Sequence, residues 1–206
     1  MLDSSLRRVK DRLGEPLAAQ LPHLSPNAIS LASFIIGLLT VWLTARGLYV
    51  WALVLWLLSR ALDGLDGLMA RVHQKQSDFG GYLDILLDFF IYAALPIALV
   101  MSAPSEARYL ALAFMLASFY INSASWMYLA AVLEKRNHSH AKGVAASHPS
   151  TSIAMPTGLI GGTETILTYC TFFIWIDHLT LLFVCFGVLV MFTAAQRLAW
   201  AWRTLR

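Results

Sequence analysis

Charge is scarce in this chain. Only 13% of its 206 residues are Asp, Glu, Lys or Arg, and 58% are hydrophobic, against roughly 45–50% apolar residues in a soluble domain. That balance excludes an ordinary soluble domain. Cysteine is nearly absent as well. Cys170 and Cys185 both fall in apolar runs, and no CxxC or Cys/His metal spacing appears, so the two thiols are expected to behave as small membrane-buried hydrophobes. The first 27 residues lack an apolar core, and the first apolar run is long enough to stay in a membrane, so no cleavable signal peptide is expected. No internal repeat and no low-complexity tract breaks the chain, whose length suits one domain. Nucleic acid is not an expected partner.

What the chain does have is a series of apolar runs near 20 residues long. That is the length needed to cross a hydrocarbon core of roughly 30 Å. Continuous runs, not alternating ones, point to helices, which satisfy their backbone groups internally. The expected fold class is an all-α integral membrane protein with six transmembrane helices: Ala28–Ala45, Leu48–Arg71, Gly80–Met101, Ala107–Leu133, Ile153–Ile176 and Leu179–Trp200. Residues 1–24 are expected to form an amphipathic juxtamembrane helix, and residues 25–206 the six-helix domain. In that first segment Leu2, Leu6, Val9, Leu13 and Leu17 make one stripe, with Arg7, Arg8, Lys10 and Arg12 off it. A basic amphipathic helix suits the cytoplasmic leaflet. Asn27 is placed to cap the first span, and Asp78 the third.

Lys and Arg set the orientation. They concentrate in the N-terminal segment, in the second-to-third link (Arg71, Lys75), in the fourth-to-fifth link (Lys135, Arg136, Lys142) and at the C-terminus (Arg203, Arg206). The other side shows only Arg46 and Arg108. Both termini are therefore expected in the cytoplasm.

Against this background, Asp63, Asp66, Asp84 and Asp88 stand out at the mouths of two apolar runs. On a helix, Asp63 and Asp66 share a face with Gly67 and Ala70. Asp84 and Asp88 share another, with Gly80 one turn earlier. If the two faces meet, four carboxylates converge and repel, and a divalent cation relieves that repulsion. Oxygen-only ligands suit Mg²⁺, Mn²⁺ or Ca²⁺. The interleaved small residues leave room for a bound phosphate compound, and Arg71 offers a fork for its oxygens.

The stretch from Asp63 to Asp88 follows D-x2-D-G-x2-A-R-x8-G-x3-D-x3-D without a departure. It resembles the signature of the class I CDP-alcohol phosphatidyltransferases. "SPNAIS" is similar to the P-N-x-x-T of that family, with Ser30 in place of threonine. The resemblance implies transfer of a phosphoryl-alcohol group from a CDP-alcohol lipid donor, commonly CDP-diacylglycerol, to a small polar hydroxyl acceptor, with release of CMP. It implies Asp63, Asp66 and Asp84 as metal ligands, and Asp88 as a partial ligand and the catalytic base. It implies Gly67, Ala70 and Gly80 making room for the nucleotide, Arg71 on the diphosphate, two Mg²⁺ or Mn²⁺ ions, a homodimer among membrane lipids, and a bacterial inner membrane with the site at the cytoplasmic face. The rival readings are a membrane prenyltransferase, which usually needs more spans, and a divalent-cation transporter, which should hold its acids near the bilayer midplane.

Four further residues are candidates for acceptor binding. Lys135 and Arg136 end the fourth span on the cytoplasmic side, where they suit an acceptor phosphate or simply follow the positive-inside bias. Arg60 lies one turn deeper than the carboxylates. Glu164, within the fifth span, needs a partner at that depth. His138, His140 and His148 are expected in a solvated loop.

Overall fold

The computed structural model describes residues 16, 18, 23–143 and 158–205, the segment 137–143 as backbone alone. Among these residues the regular structure is helical throughout: α1 Pro26–Ala45, α2 Tyr49–Val72, α3 Asp78–Ser102, α4 Glu106–Gly143, α5 Gly162–Ile174, a short 3₁₀ turn Ile176–His178, and α6 Leu179–Thr204. Four of these helices, α1, α3, α4 and α6, are long and apolar enough to cross a membrane. The length of α2 also suffices, but it carries Arg60, Asp63, Asp66 and Arg71. The thirteen residues of α5 reach about 20 Å at 1.5 Å per residue. The apolar run from Ile153 predicts a longer helix there, yet residues 158–161 are not helical.

The helix ends have local causes. At the end of α1 the chain turns through Gly47, whose φ is +74°. Its N–H bonds the Thr44 carbonyl, and the Leu48 N–H bonds that of Leu43, which is the Schellman pattern with glycine in the left-handed position. The end of α2 repeats it, with Gln74 N–H on Arg71 and Lys75 N–H on Ala70. Here the left-handed residue is Gln74, at φ 52°. Two expected caps move by one or two positions. Ser25 precedes α1, with Pro26 in its first turn and Asn27 already inside the helix. Ser77 caps α3, accepting from the Gly80 N–H at 3.0 Å, so Asp78 is the first helical residue. Ser77 has the extended backbone a cap requires. The fourth helix continues to Gly143, so His138 and His140 lie on helical backbone, not in a loop. His148 lies outside the described residues, as does most of segment 1–24.

The chain divides into two compact units. The first, Met1–Leu112 with Gly162–Leu182, joins α1, α2, α3 and α5. Ser33 and Ser59 exchange hydrogen bonds, each hydroxyl donating to the other's carbonyl at 2.9 and 3.0 Å, and so draw α1 against α2 through small side chains. A Cβ on Gly37 would stand 2.9 Å from Ile91 Cδ1, so glycine permits the approach of α1 to α3. Trp56 is fully buried. It stacks on Tyr169 at 5.3 Å and meets the edge of Tyr92 at 5.5 Å. The Tyr169 hydroxyl donates to the Tyr92 carbonyl at 2.6 Å, which ties α5 to α3. Of the N-terminal segment, Ala18 is buried with Ile29, Leu68 and Met69, and His73 Nε2–H donates to its carbonyl at 2.8 Å.

The second unit, Ala113–Gly161 with Phe183–Arg206, pairs most of α4 with most of α6. Phe114 fills the space over Gly187, and Phe119 meets Phe186 edge-on at 5.5 Å. Arg197 is buried; its Nη1 donates to the Asn122 side chain at 2.9 Å and to its carbonyl at 3.2 Å. The backbone N–H of Leu159 reaches Gln196 Oε1 and that of Ile160 reaches Thr193 Oγ1. Many large apolar side chains on both units are exposed, as faces turned to lipid would be.

Candidate metal and nucleotide site

The turn between α2 and α3 brings the end of one helix beside the start of the next. Asp63 and Asp66 come from α2 and Asp84 from α3. One carboxylate oxygen of each lies within 4.8 Å of the others. Oxygens around one Mg²⁺, bonded at about 2.1 Å, stand about 3–4 Å apart. The three aspartates therefore fit a single hard divalent cation with little adjustment. Asp66 is the most buried of them, at 4% exposure. Its Oδ2 accepts a 2.5 Å hydrogen bond from the hydroxyl of Ser30 on α1.

Beside the triad lies a cavity of about 220 Å³. Its wall is Pro26, Asn27 and Ser30 of α1, Asp66, Gly67, Ala70 and Arg71 of α2, Lys75, Gln76 and Ser77 of the link, and Gly80, Gly81 and Asp84 of α3. The four residues expected at a nucleotide, Gly67, Ala70, Arg71 and Gly80, thus line one space. The two glycines differ, however. A Cβ on Gly67 would meet only Arg71 Nη1, at 3.6 Å, so its missing side chain leaves open room. A Cβ on Gly80 would meet Asn27 Oδ1 at 2.9 Å and Ser77 Oγ at 3.0 Å. The space at Gly80 is therefore already used by Asn27.

Asp88 does not join the triad. Its Oδ1 accepts from Arg60 Nη1 at 2.5 Å, and Asp63 Oδ1 lies 3.6 Å from the same nitrogen. Arg60 is buried at 6% exposure. The structure thus places three expected carboxylates together and the fourth on an arginine that links it to Asp63.

The acceptor candidates are placed differently again. The exposed Arg136 lies in the second unit, where its guanidinium donates to the Leu205 carbonyl at 2.7 Å and reaches that of Thr204 at 3.5 Å. A cation there answers the negative end of α6. Lys135, its neighbour, is exposed too. Glu164 is in the first turn of α5, where the helix N-terminus favours an acid. The sequence reading missed Asn27, Lys75, Gln76 and Ser77 as parts of the cavity wall. Lys75, Gln76 and Ser77 fall in the unspecified eight-residue gap of the signature, and Asn27 lies in "SPNAIS", so their polar character was the available signal.

Comparison with known proteins bears on the family and the fold. A family model described as CDP-alcohol phosphatidyltransferase matches residues 23–193. The chain is 35% identical to the inner membrane protein YnjF of Escherichia coli, over all of this chain and 98% of that one. It is 32% identical to a CDP-diacylglycerol–serine O-phosphatidyltransferase of Helicobacter pylori, over 36% of this chain and 31% of that one. In fold it is similar to the Mycobacterium tuberculosis phosphatidylinositol phosphate synthase PgsA1, solved with CDP-DAG bound, with a TM-score of 0.65, 18% identity and coverage of 95% of this chain and 94% of that one. The Asp63–Asp88 signature lies inside a family match covering most of the sequence, and the chain belongs to the CDP-alcohol phosphatidyltransferase family.

Proposed function

We propose that this chain moves a phosphatidyl group from CDP-diacylglycerol to the hydroxyl of a small polar acceptor at the cytoplasmic face of the membrane. The observation that carries this reading is the juxtaposition of the Asp63, Asp66 and Asp84 oxygens with a cavity whose Gly67 side is open. The cytidine would enter over Gly67 and Ala70, with its diphosphate facing Arg71 and the carboxylates. The acyl chains would remain in lipid. Asp63, Asp66 and Asp84 would hold Mg²⁺ or Mn²⁺, in one or two ions. Bound there, the cation would offset the charge that develops on departing CMP.

Asp88 then takes the proton of the acceptor hydroxyl. The acceptor oxygen bonds to the phosphorus that bears the diacylglycerol. The bond from that phosphorus to the bridging oxygen breaks, and the electron pair leaves with CMP. An in-line approach suits phosphoryl transfer, in which positioning and electrostatics do most of the work. The test is CMP release from labelled CDP-diacylglycerol by the purified protein across a panel of acceptors, with and without chelator. Release that needs both a divalent cation and one acceptor supports the reading. No release with any acceptor, or release unaffected by chelator, sinks it.

A further inference from the structure

Arg60 is a buried charge that metal binding does not explain. It sits on α2 one turn before Asp63, with its guanidinium between two aromatic rings, 4.9 Å from the centre of Trp56 and 5.3 Å from that of Tyr92. Its Nη2 donates to Ser59 Oγ at 3.1 Å. Nη1 faces Asp88 at 2.5 Å and Asp63 at 3.6 Å. Its Nε is buried and has no partner. An arginine whose sole role was to neutralise a carboxylate would not need this setting. The rings hold the plane of the guanidinium, the serine fixes one nitrogen, and the remaining fork nitrogen is aimed at one oxygen of Asp88.

We infer that Arg60 is a positioning residue. It clamps Oδ1 of Asp88, leaving Oδ2 to the reacting hydroxyl. The same guanidinium touches Asp63, and so sets the distance between base and metal ligands. This inference rests on the reaction proposed above, and it assigns to Arg60 a part in turnover but none in donor binding.

The test compares Arg60→Gln, Arg60→Lys, Asp88→Asn and the double variant Arg60→Gln/Asp88→Asn in the CMP-release assay, with donor binding measured beside it. Loss of the clamp should lower kcat between about tenfold and a hundredfold, the cost of a misplaced reacting group. The donor KM should stay within about twofold, because the interaction matters only in turnover. Arg60→Lys, which keeps the charge but not the fork, should fall between wild type and Arg60→Gln. The double variant should be no slower than Asp88→Asn alone, because the two residues act as a unit. Unchanged kcat in Arg60→Gln, a raised donor KM as the main effect, or additive losses in the double variant would each overturn the inference. Should Arg60→Gln fail to fold, Arg60→Lys decides alone: lowered kcat at constant donor KM supports the clamp, and wild-type kcat removes it. A wild-type protein that releases no CMP with any acceptor overturns the reaction itself, and the clamp with it; an active wild type beside an unaffected Arg60 variant overturns only the clamp.

Discussion

Ser30 and Asp66, 36 residues apart, share a 2.5 Å hydrogen bond between α1 and α2. The hydroxyl donates to Oδ2 of a carboxylate that belongs to the triad. A group that orients a ligand in this way typically changes metal affinity 10- to 100-fold when lost. Ser30→Ala is therefore expected to raise the Mg²⁺ or Mn²⁺ concentration for half-maximal activity by about tenfold, while Ser30→Thr keeps it near wild type. An unchanged metal dependence in Ser30→Ala would mean that the bond does not orient the ligand.

The triad itself gives the sharpest expectation. Asp63→Asn, Asp66→Asn and Asp84→Asn should each abolish CMP release, because each removes one of three negative charges whose oxygens lie within 4.8 Å of one another. The check is turnover beside the thermal stability of the same samples. Removing one carboxylate relieves repulsion in the metal-free protein, so Tm in chelator should hold or rise. Collapse of Tm in chelator would show that the acids serve the fold.

Gly67 and Gly80 should respond to the same substitution in different ways. Gly67→Ala adds a methyl group to open space, with Arg71 Nη1 at 3.6 Å. It should leave Tm unchanged and raise the donor KM. Gly80→Ala brings a methyl to 2.9 Å from Asn27 Oδ1 and 3.0 Å from Ser77 Oγ; Asn27 can swing aside, but the methyl disturbs the Ser77 cap, and loss of such a cap costs about 1 kcal/mol. It should lower Tm in protein without substrate. Equal effects of the two variants on Tm would contradict this division.

Gln74 offers a stability test. It holds the left-handed position that glycine fills in the equivalent turn after α1. A non-glycine residue there carries strain of about 1 kcal/mol. Gln74→Gly should raise Tm by a few degrees in detergent. Because Lys75 and Gln76 line the cavity directly after it, activity in this variant measures whether the strained turn also aims those side chains.

Lys135 and Arg136 are adjacent in sequence, and both are exposed. Arg136 holds the last carbonyls of α6, so Arg136→Ala should lower Tm and leave the acceptor KM unchanged. Lys135→Ala is the variant expected to raise acceptor KM. The opposite pattern in acceptor kinetics would reassign the two roles.

The signature was readable because its spacing is helical and local. Once Asp63 and Asp66 share a turn, as do Gly80 and Asp84, two helices and one short link suffice to assemble the triad. The pairing of Asp88 with Arg60 was not readable in the same way. It spans 28 residues and depends on the rings of Trp56 and Tyr92, which looked like ordinary packing. The start of α5 also escaped, because the contacts that hold the chain before it are tertiary. A Cβ on Gly158 would fall inside the Thr193 side chain, and Thr193 and Gln196 take the N–H groups that a helix would have used. The cap at Ser77 shows a subtler limit. Serine and aspartate both suit that role, and only the extended backbone at Ser77 decides between them.

The composition of α2 has a consequence for how the protein is made. Arg60 stands at the midpoint of this 24-residue helix, where inserting an arginine costs about 2.5–3.5 kcal/mol on translocon scales, and Asp63 and Asp66 add to that. The helix is thus a poor membrane segment while it emerges alone. Its partner for Arg60, Asp88, lies on α3 and is synthesised 28 residues later. The two helices should accordingly enter the bilayer as a hairpin, with α2 held at the translocon until α3 arrives. Glycosylation-site mapping of truncated chains would reveal this as an α2 that integrates efficiently only when α3 follows, and less so when α3 carries Asp88→Ala.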